Sequence, residues 1–252
     1  MIKIILNGCN GKMGHVISRL AEADEKVKIT AGFDLNTAQT FDYEVFSNPA
    51  EYGGIADVII DFSHPSALNR LLQFAVDRKI PAVIATTGLS AEQIEQLHEA
   101  SKQIPIFFSA NMSLGINLLI DLVKRAAKLL EDSFDIEIIE KHHNQKIDAP
   151  SGTALAIADS INEVLSQPYQ YVYDRHSVRK KRDKKEIGIH AVRGGTIVGA
   201  HEVLFAGTDE MVTISHTATS KEIFAQGSLK AAKFLADKEP GMYDMNSMLS
   251  SL

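Results

Sequence analysis

The sequence predicts a two-part α/β protein, with a doubly wound parallel sheet in the first part and an α+β unit with an open mixed sheet in the second. Three observations lead to this fold class. Up to about residue 110, short apolar runs alternate with helical patterns, which is typical of parallel strands joined by helices. A long amphipathic segment then precedes several strand-like runs in succession. A last amphipathic segment closes the chain and can return to the first part.

The first part reads as buried strands that alternate with helices. The strands are short apolar runs bounded by Gly, Pro, Asn or Ser, and the helices show apolar positions at helical spacing. The last of these helices begins at a capping box, with Ser90 as the N-cap residue and Gln93 as its partner. We predict strands at Ile2–Leu6, Val27–Phe33, Val58–Asp61, Ala82–Ala85 and Ile104–Phe108, and helices at Lys12–Ala23, Ser66–Arg78 and Ala91–Ser101.

The second part begins with a long amphipathic helix and continues mainly as strands. This order predicts an α+β unit over residues 113–221, whereas residues 1–112 and 222–252 form the other domain. The predicted elements, in order, are the helix Leu114–Leu130, the strand Phe134–Glu140, the helix Thr153–Leu165, the strands Ile187–Val192, His201–Phe205 and Met211–His216, and the closing helix Lys221–Leu235.

The composition is that of a globular protein with a moderate negative charge. With 252 residues, 45% of them apolar, the chain can build one large or two medium domains. A net charge of −6 argues against a nucleic-acid partner, and a single cysteine excludes a disulfide or a cysteine-based metal site within the chain. The first residues do not resemble a signal peptide, and no apolar run reaches the roughly 20 residues that span a bilayer. We expect a cytoplasmic protein without a membrane partner.

One segment departs from this charge balance. Arg175–Lys185 (RHSVRKKRDKK) holds seven Lys and Arg residues. A nucleic-acid site would need a basic face with stacking aromatic residues or a reading helix, and the sequence shows neither. We interpret the segment as a solvated loop or as part of a subunit edge.

A glycine loop follows the first predicted strand and opens the first helix. Gly8, Gly11 and Gly14 permit a tight turn and a close approach of backbone N–H groups to a pyrophosphate at the helix N-terminus. Asp34 ends the second strand, where a carboxylate can bind an adenosine ribose. Together these features predict a Rossmann-like dinucleotide site, rather than a plain turn. Asp34 favours NADH because it would repel a 2′-phosphate, although Lys12 could reach that phosphate and permit dual use.

Two later loops follow predicted strands and fit the same site. Because ligands of open α/β sheets bind outside the carboxyl ends of the strands, we expect Ala85–Gly88 (ATTG) and Ser109–Met112 (SANM) to contribute. Ordinary turn chemistry is the alternative interpretation, and it leaves the consecutive Thr86 and Thr87 unexplained. We interpret Cys9 as a small residue that fills the glycine loop rather than as a reactive thiol.

The stretch Glu140–Thr153 (EKHHNQKIDAPSGT) concentrates titratable groups just before a helix. Ser151 is a suitable N-cap residue, and no acid stands in the first turn, so the helix start can hold an outside anion. Lys146 and His143 could add charge-assisted bonds to that anion, and a histidine can move protons near neutral pH. The stretch therefore predicts a carboxylate-binding site with proton transfer. A zinc pair lacks further apparent ligands, and a solvated loop is the other alternative.

These residues closely resemble the signature E-x-H-H-x-x-K-x-D-A-P-S-G-T of the 4-hydroxy-tetrahydrodipicolinate reductase family, also called the dihydrodipicolinate reductase family. The resemblance extends along nearly the whole chain. The further matching segments are Gly8–Gly14, Ile60–Pro65, Ala85–Gly88, Phe108–Gly115, His190–Gly195, Gly199–Val203 and Ser220–Gly227. It implies a Rossmann-like cofactor domain and an α+β substrate domain that assembles a homotetramer through its sheet.

The resemblance also implies roles for individual residues. His142 corresponds to a proton donor and acceptor and Lys146 to a proton donor, and no metal is implied. The substrate contacts implied are His143, Ser151, Gly152 and Thr153. The cofactor contacts implied are Gly8, Cys9, Asn10, Gly11, Lys12, Met13, Asp34, Ala85, Thr86, Thr87, Ser109, Ala110, Asn111 and Met112. The chain departs from the family pattern by having Cys9 where alanine is common, Lys12 where arginine is common and Ala85 where glycine is common.

The function implied is the NADH- or NADPH-dependent reduction of 4-hydroxy-tetrahydrodipicolinate, a small dicarboxylate of lysine biosynthesis, with closure of the two domains over the substrate. Two alternatives stay open at this point. Another two-domain dehydrogenase, such as an aspartate-semialdehyde enzyme, needs a nucleophilic cysteine, and the only cysteine is Cys9 in the phosphate loop. A non-catalytic nucleotide sensor would keep the glycines and Asp34 without needing the His-His-Lys cluster.

Overall fold

The computed structural model describes residues 1–251 and contains two compact units. The first unit comprises residues 1–114 and 222–252, and the second comprises residues 115–221. The first unit contains a seven-stranded parallel sheet, and the second contains a five-stranded mixed sheet. The predicted fold class is confirmed. Within the described residues no helix is long and apolar enough to cross a membrane.

The elements are numbered in chain order over residues 1–251. The strands are β1 (Ile2–Asn7), β2 (Val27–Phe33), β3 (Glu44–Phe46), β4 (Val58–Asp61), β5 (Ala82–Ile84), β6 (Pro105–Phe108), β7 (Asp135–His142), β8 (Gln170–Val172), β9 (Glu186–Arg193), β10 (Gly199–Ala206), β11 (Met211–Ala218) and β12 (Gly241–Tyr243). The α-helices are α1 (Lys12–Glu22), α2 (Leu68–Arg78), α3 (Ala91–Ser101), α4 (Leu114–Leu130), α5 (Gly152–Asn162), α6 (Glu222–Leu235) and α7 (Met245–Leu249).

The sheet of the first unit is buried on both faces. Its strand order is β12-β6-β5-β4-β1-β2-β3. Strands β1 to β3 are added toward one edge of the sheet and strands β4 to β6 toward the other, so the order of addition reverses between β1 and β4. Along β1, Ile4 and Leu6 pack with residues of α1 and α6, whereas Ile5 packs with residues of α2 and α3. Because successive side chains of a strand point to opposite faces, this run of apolar residues supplies two cores at once. The reversal places the carboxyl ends of β1 and β4 side by side, which is where such sheets bind ligands.

Most predicted elements are confirmed, and their ends shift by at most three residues, the largest shift being that of the helix predicted to end at Leu165, which ends at Asn162. The strand Val27–Phe33 and the helix Leu114–Leu130 have the predicted bounds. The helix predicted from Ser66 begins at Leu68, because residues Pro65–Ala67 form a 3₁₀ turn whose cap is the His64 side chain. The strand predicted to end at Glu140 continues to His142. The short elements β3, β8, β12 and α7 were not predicted.

The second unit is built around the central strand β7. β7 pairs antiparallel with β10 and parallel with β9, in the sheet order β11-β10-β7-β9-β8. Ile136 and Ile138 of β7 pack against apolar residues of α4 and α5. By the two-residue period of a strand, Glu140 and His142 lie on that same buried face. The strand therefore carries two titratable side chains into the interior at its carboxyl end.

The basic segment Arg175–Lys185 is partly neutralised by acids of its own unit. Arg175 contacts Glu137 (2.6 Å) and Glu186 (2.8 Å), and Arg182 contacts Glu137 (2.9 Å). Burial opposes ionisation of Glu137, but its bonds to Arg182 and His190 outweigh burial and lower its pKa. These pairs hold the segment against the outer face of the sheet, so it does not present seven free cations to a polyanion.

Candidate functional site

Gly8 and Gly14 are required by the geometry of the loop after β1. Gly8 has a φ of +80°, and a Cβ atom there would lie 2.5 Å from the backbone oxygen of Phe62. A Cβ atom at Gly14 would lie 2.3 Å from the backbone oxygens of both Gly8 and Cys9. Only glycine fits either position without moving backbone. These two residues allow the loop to pass close to β4 and α1 to begin directly against the loop.

The start of α1 is free of anionic groups. Gly11 is the N-cap residue, no side chain caps the helix, and its first turn contains no acid. The helix dipole and the N–H groups of the first turn therefore favour an anion at this end. This agrees with the predicted position for a pyrophosphate.

Asp34 fastens the loop after β2 to the glycine loop. Its carboxylate accepts hydrogen bonds from the backbone N–H groups of Asn10 and Asn36, each at 3.0 Å. The side chain of Asn10 donates to the backbone oxygens of Asn36 (2.6 Å) and Ala38 (2.9 Å). Each carboxylate oxygen of Asp34 thus keeps a lone pair for a further donor. Asp34, Gly8 and Gly11 line a cavity of about 620 Å³.

The residues predicted to contact the cofactor differ in side-chain exposure, and three of them have buried side chains. Cys9 is fully buried and its Sγ packs against Gly32; burial raises the pKa of the thiol to about 11, so it is an inert filler. Met112 and Ala85 are also buried, while Thr87 and Ala110 are exposed. In the loop of Ser109–Met112, Ser109 Oγ donates to the backbone oxygen of Asn111 (2.9 Å).

A buried carboxylate that the sequence analysis did not assign connects three strand ends. Asp61 is fully buried and accepts hydrogen bonds from Asn7 Nδ2 (2.7 Å), Ser63 Oγ (2.6 Å) and Thr86 Oγ1 (2.7 Å). Burial raises the pKa of Asp61, although these bonds act in the opposite direction. The cluster explains Thr86, whose hydroxyl faces Asp61. The sequence feature that could have indicated Asp61 is the position of an acid at the end of an otherwise apolar strand.

In the second unit, Glu140 and His142 form a buried carboxylate–histidine pair. His142 Nδ1 lies 2.6 Å from Glu140 Oε2, and the His142 residue is 8% exposed. Because a carboxylate accepts, Nδ1 carries a proton and donates it, which leaves Nε2 as the nitrogen that can exchange a proton. A Cβ atom at Gly199 would lie 3.1 Å from that Nε2, so glycine leaves room for the ring.

Arg193 and the start of α5 complete the bonding of Glu140. Arg193 donates through both terminal nitrogens to the two carboxylate oxygens, at 2.8 and 2.7 Å, and Ser151 N donates at 2.9 Å. Burial opposes ionisation of Glu140, but the bonds from Arg193, His142 and Ser151 outweigh it and lower its pKa. Arg193 also donates to the backbone oxygen of Asp148 (2.6 Å). One carboxylate therefore fixes the histidine, the helix start and the preceding loop.

His201 is a second histidine of this cluster, and the sequence analysis did not assign it. Its Nε2 lies 3.0 Å from Ser151 Oγ, and its ring meets the His142 ring edge to face at 5.2 Å. Burial, followed by the charge of His142, lowers the pKa of His201 to about 4. The ring is therefore neutral at physiological pH and adds no charge beside His142.

The start of α5 confirms the predicted cap and corrects one expectation. Ser151 is the N-cap residue, and the first turn contains no acid. The first-turn N–H groups are not all free, however, because Ser151 Oγ accepts the N–H of Ala154 (3.1 Å). Gly152 is exposed and Thr153 is half-buried. Ser151 N is likewise bonded to Glu140 (2.9 Å) and the Gly152 N–H to Asp148, so an outside anion would take the place of the exposed Asp148 and be favoured by the helix dipole.

Lys146 already binds a carboxylate of its own chain. Its Nζ lies 2.8 Å from Asp148 Oδ1, with the lysine side chain 23% exposed and the aspartate side chain 57% exposed. The bond from Lys146 is the largest cause that lowers the pKa of Asp148. Lys146 thus binds a carboxylate that is itself largely exposed to solvent. His143 is half-buried next to this loop.

The geometry assigns complementary chemistry to the two units. The first presents a glycine loop, an acid-free helix start and a carboxylate at a cavity, which together suit a dinucleotide. The second presents a positioned histidine, a lysine and a helix start, which suit an organic acid that exchanges protons. Among residues 1–251 no group of three or more His, Cys, Asp or Glu side chains is placed to hold a metal ion.

Comparison with known proteins assigns the family. The family model "Dihydrodipicolinate reductase, N-terminus" matches residues 2–112, and "Dihydrodipicolinate reductase, C-terminus" matches residues 115–249. The 4-hydroxy-tetrahydrodipicolinate reductase of Caldanaerobacter subterraneus subsp. tengcongensis is 57% identical over 249 residues, covering 99% of this chain and 98% of the relative. The enzyme of that name from Clostridium tetani is 49% identical over 251 residues, covering 100% of this chain and 98% of the relative.

A solved structure agrees with the sequence relatives. The dipicolinate-bound dihydrodipicolinate reductase from Paenisporosarcina sp. TG-14 superposes with a TM-score of 0.81 at 25% identity, covering 98% of this chain and 99% of that one. The two family models together, and each of the two relatives alone, span almost the whole sequence. The chain belongs to the dihydrodipicolinate reductase family of oxidoreductases.

Proposed function

We propose that the first unit binds a reduced nicotinamide dinucleotide and that the second binds 4-hydroxy-tetrahydrodipicolinate and handles its protons. The overall reaction converts this substrate, NAD(P)H and one proton into tetrahydrodipicolinate, NAD(P)⁺ and water. The observation that carries the proposal is the buried Glu140–His142 pair beside Lys146 and the acid-free start of α5. A nucleotide sensor has no need for such a cluster.

The residues of the first unit fit a nicotinamide dinucleotide. Gly8 to Met13 would hold the pyrophosphate at the start of α1, and Asp34 would bind the adenosine ribose. The other proposed contacts lie in loops after neighbouring strands: Ala85, Thr86, Thr87, Ser109, Ala110, Asn111 and Met112. When bound, the reduced nicotinamide supplies the hydride that goes to ring carbon 4 of the substrate.

The second unit binds the substrate through its carboxylates. We assign these contacts to Lys146, His143 and the backbone of Gly152 and Thr153, because Ser151 N already donates to Glu140 (2.9 Å). The Lys146–Asp148 pair supports this assignment, because it shows a carboxylate bound to the same cation (2.8 Å). A substrate carboxylate would displace Asp148 from Lys146. The Paenisporosarcina enzyme binds dipicolinate, which is also a dicarboxylate.

Proton transfer is assigned to His142 and Lys146. Glu140 holds the proton of His142 on Nδ1, so Nε2 is the nitrogen that exchanges a proton with the substrate. Lys146 provides an ammonium that can protonate the substrate nitrogen as its electron density rises. Burial of His142 keeps water from competing at the ring.

Asp34 is proposed to favour NADH over NADPH through charge repulsion of a 2′-phosphate. In Asp34→Asn the repulsion is removed, while one side-chain oxygen remains to accept the N–H of Asn10 or Asn36. We expect the ratio of dissociation constants, NADPH over NADH, to fall by about tenfold, which corresponds to about 1.4 kcal/mol. Fluorescence titration of both cofactors measures it. An unchanged ratio would exclude Asp34 as the discriminating charge.

The homotetramer and the cytoplasmic location rest on the family resemblance. The outer face of the second sheet supports assembly, because it carries the half-buried Ile139 and Leu204. Sedimentation velocity on the purified protein measures the assembly; a monomer at micromolar concentration would contradict a stable tetramer.

A steady-state assay tests the proposed function. The protein is mixed with NADH and with 4-hydroxy-tetrahydrodipicolinate generated enzymatically, and the absorbance of the reduced nicotinamide is followed. We expect oxidation that depends on both protein and substrate. Binding of NADH without oxidation of NADH or NADPH would instead support the nucleotide sensor.

A further inference from the structure

The cavity of the first unit is lined by a cationic side chain that no sequence motif indicated. Arg70 of α2 lines the same cavity of about 620 Å³ as Asp34 and the glycine loop. We propose that Arg70 binds the 2′-phosphate of NADPH, so that the chain accepts both cofactors despite Asp34. The inference rests on the proposed function and adds a specificity residue to it.

Two consecutive backbone carbonyls place Arg70 beside Asp34. The oxygen of Phe46 accepts the backbone N–H of Asp34 (3.1 Å), and the oxygen of Ser47 accepts Arg70 Nη2 (3.0 Å). The end of β3 therefore joins the two residues from different parts of the chain. A ribose bound to the Asp34 carboxylate has its 2′-position close to this carboxylate, since an acid here commonly binds the ribose 2′-hydroxyl. A 2′-phosphate on that ribose would lie in the cavity that Arg70 also lines.

The guanidinium of Arg70 keeps its positive charge and most of its N–H donors available for a ligand. Within residues 1–251 no carboxylate forms an ion pair with it, and its bond to Ser47 involves one of five N–H groups. It is exposed to solvent at the cavity. A guanidinium with free N–H groups can bind a phosphate through two parallel hydrogen bonds. The bond to Ser47 orients the group without neutralising it.

The other candidate cations are less well placed. Leu35, the residue after Asp34, is apolar and 86% exposed. Lys12 is exposed on α1 and does not line the cavity. His64 and Ser66 do line it, but their side chains bond each other through His64 Nδ1 and Ser66 Oγ (2.9 Å). Arg70 is therefore the permanent positive charge of this cavity among its lining residues.

Equilibrium binding to Arg70→Gln tests the proposal. We expect the dissociation constants of NADPH and of adenosine 2′,5′-bisphosphate to rise by about 10- to 100-fold, the effect of losing charge-assisted hydrogen bonds. The constants of NADH and adenosine 5′-monophosphate should change by less than about twofold, because neither ligand reaches Arg70 with a phosphate. Calorimetry on the full chain measures all four constants without turnover.

Two matched variants make the result specific. Arg78→Gln removes another arginine of α2, one that donates to the backbone oxygens of Tyr52 and Gly54. Lys12→Gln tests the alternative cation of the glycine loop. Neither should change the preference between NADPH and NADH. An equal weakening of both cofactors in Arg70→Gln, no change in either, or a selective loss in Lys12→Gln would overturn the role of Arg70. Failure of the wild-type chain to bind NADH would instead refute the proposed function.

Discussion

Replacing Lys146 with alanine or His142 with glutamine is expected to lower turnover by about 10²- to 10⁴-fold, the usual contribution of a positioned acid–base group. In His142→Gln the side chain can still reach Glu140 but no longer exchanges a proton. In Lys146→Ala both the ammonium and a carboxylate contact are lost, so we expect KM for the substrate to rise as well. The dissociation constant of NADH should stay within about twofold, because neither residue belongs to the first unit.

The chain offers close controls for both variants. Lys141 and His190 lie on the outer face of the same sheet, where His190 Nε2 contacts Glu137 (2.7 Å). Lys141→Ala and His190→Gln should therefore keep turnover within a few-fold of the wild type. Steady-state rates with NADH and fluorescence titration of NADH supply the two readouts. Normal turnover in His142→Gln or Lys146→Ala would remove that residue from the mechanism.

Glu140→Gln is expected to damage both stability and turnover. The substitution leaves Arg193, whose side chain is 19% exposed, without its bidentate carboxylate; breaking a fully buried ion pair commonly costs about 3–5 kcal/mol, and the partial exposure of Arg193 places the expected loss at or below the lower end of that range. It also frees the orientation and tautomer of the His142 ring, so kcat should fall by at least about tenfold in the folded fraction. Chemical denaturation and kcat per folded molecule measure the two effects separately. Glu140 acts as a positioning residue, because it reaches the substrate only through His142.

The pH dependence of the unfolding free energy distinguishes the contribution of the Glu140 charge from that of its side-chain packing. Its folded pKa lies below the unfolded value of 4.5, so its stabilisation is present above pH 4.5 and is lost as pH falls through the folded pKa. In Glu140→Gln this acid-dependent loss should be smaller. Glu137→Gln is the control on the outer face, with His142 untouched. Equal unfolding free energies and equal kcat for Glu140→Gln and wild type would contradict the assigned role.

The sequence was most informative where local chemistry decides the structure. The strand Val27–Phe33 and the helix Leu114–Leu130 follow from apolar periodicity and have the predicted bounds. The cap Ser151 and the tight turn at Gly8 likewise depend on nearby backbone. The three-residue strands β3, β8 and β12 were missed, because they exist only by pairing with a distant strand, as β12 does with β6.

The supporting residues of the site could not be predicted because their partners are distant in sequence. Glu140 meets Arg193 across 53 positions, and Ser151 meets His201 across 50. Nothing local in HAVRGG or GAHEV indicates these pairs, although the alternation of β7 did place Glu140 and His142 on one face. The pairing of Lys146 with Asp148 was missed for another reason: in an irregular loop, the spacing of two residues does not determine whether their side chains meet.

Transfer of a deuterium label tests whether hydride passes from NADH to 4-hydroxy-tetrahydrodipicolinate. The wild-type chain is supplied with NADH deuterated at both positions of its nicotinamide carbon 4 and with enzymatically generated 4-hydroxy-tetrahydrodipicolinate, and the product is analysed by mass spectrometry and NMR. We expect tetrahydrodipicolinate that carries one deuterium at ring carbon 4 for each NADH oxidised. An unlabelled product, or NADH oxidation without tetrahydrodipicolinate, would contradict hydride transfer to this substrate.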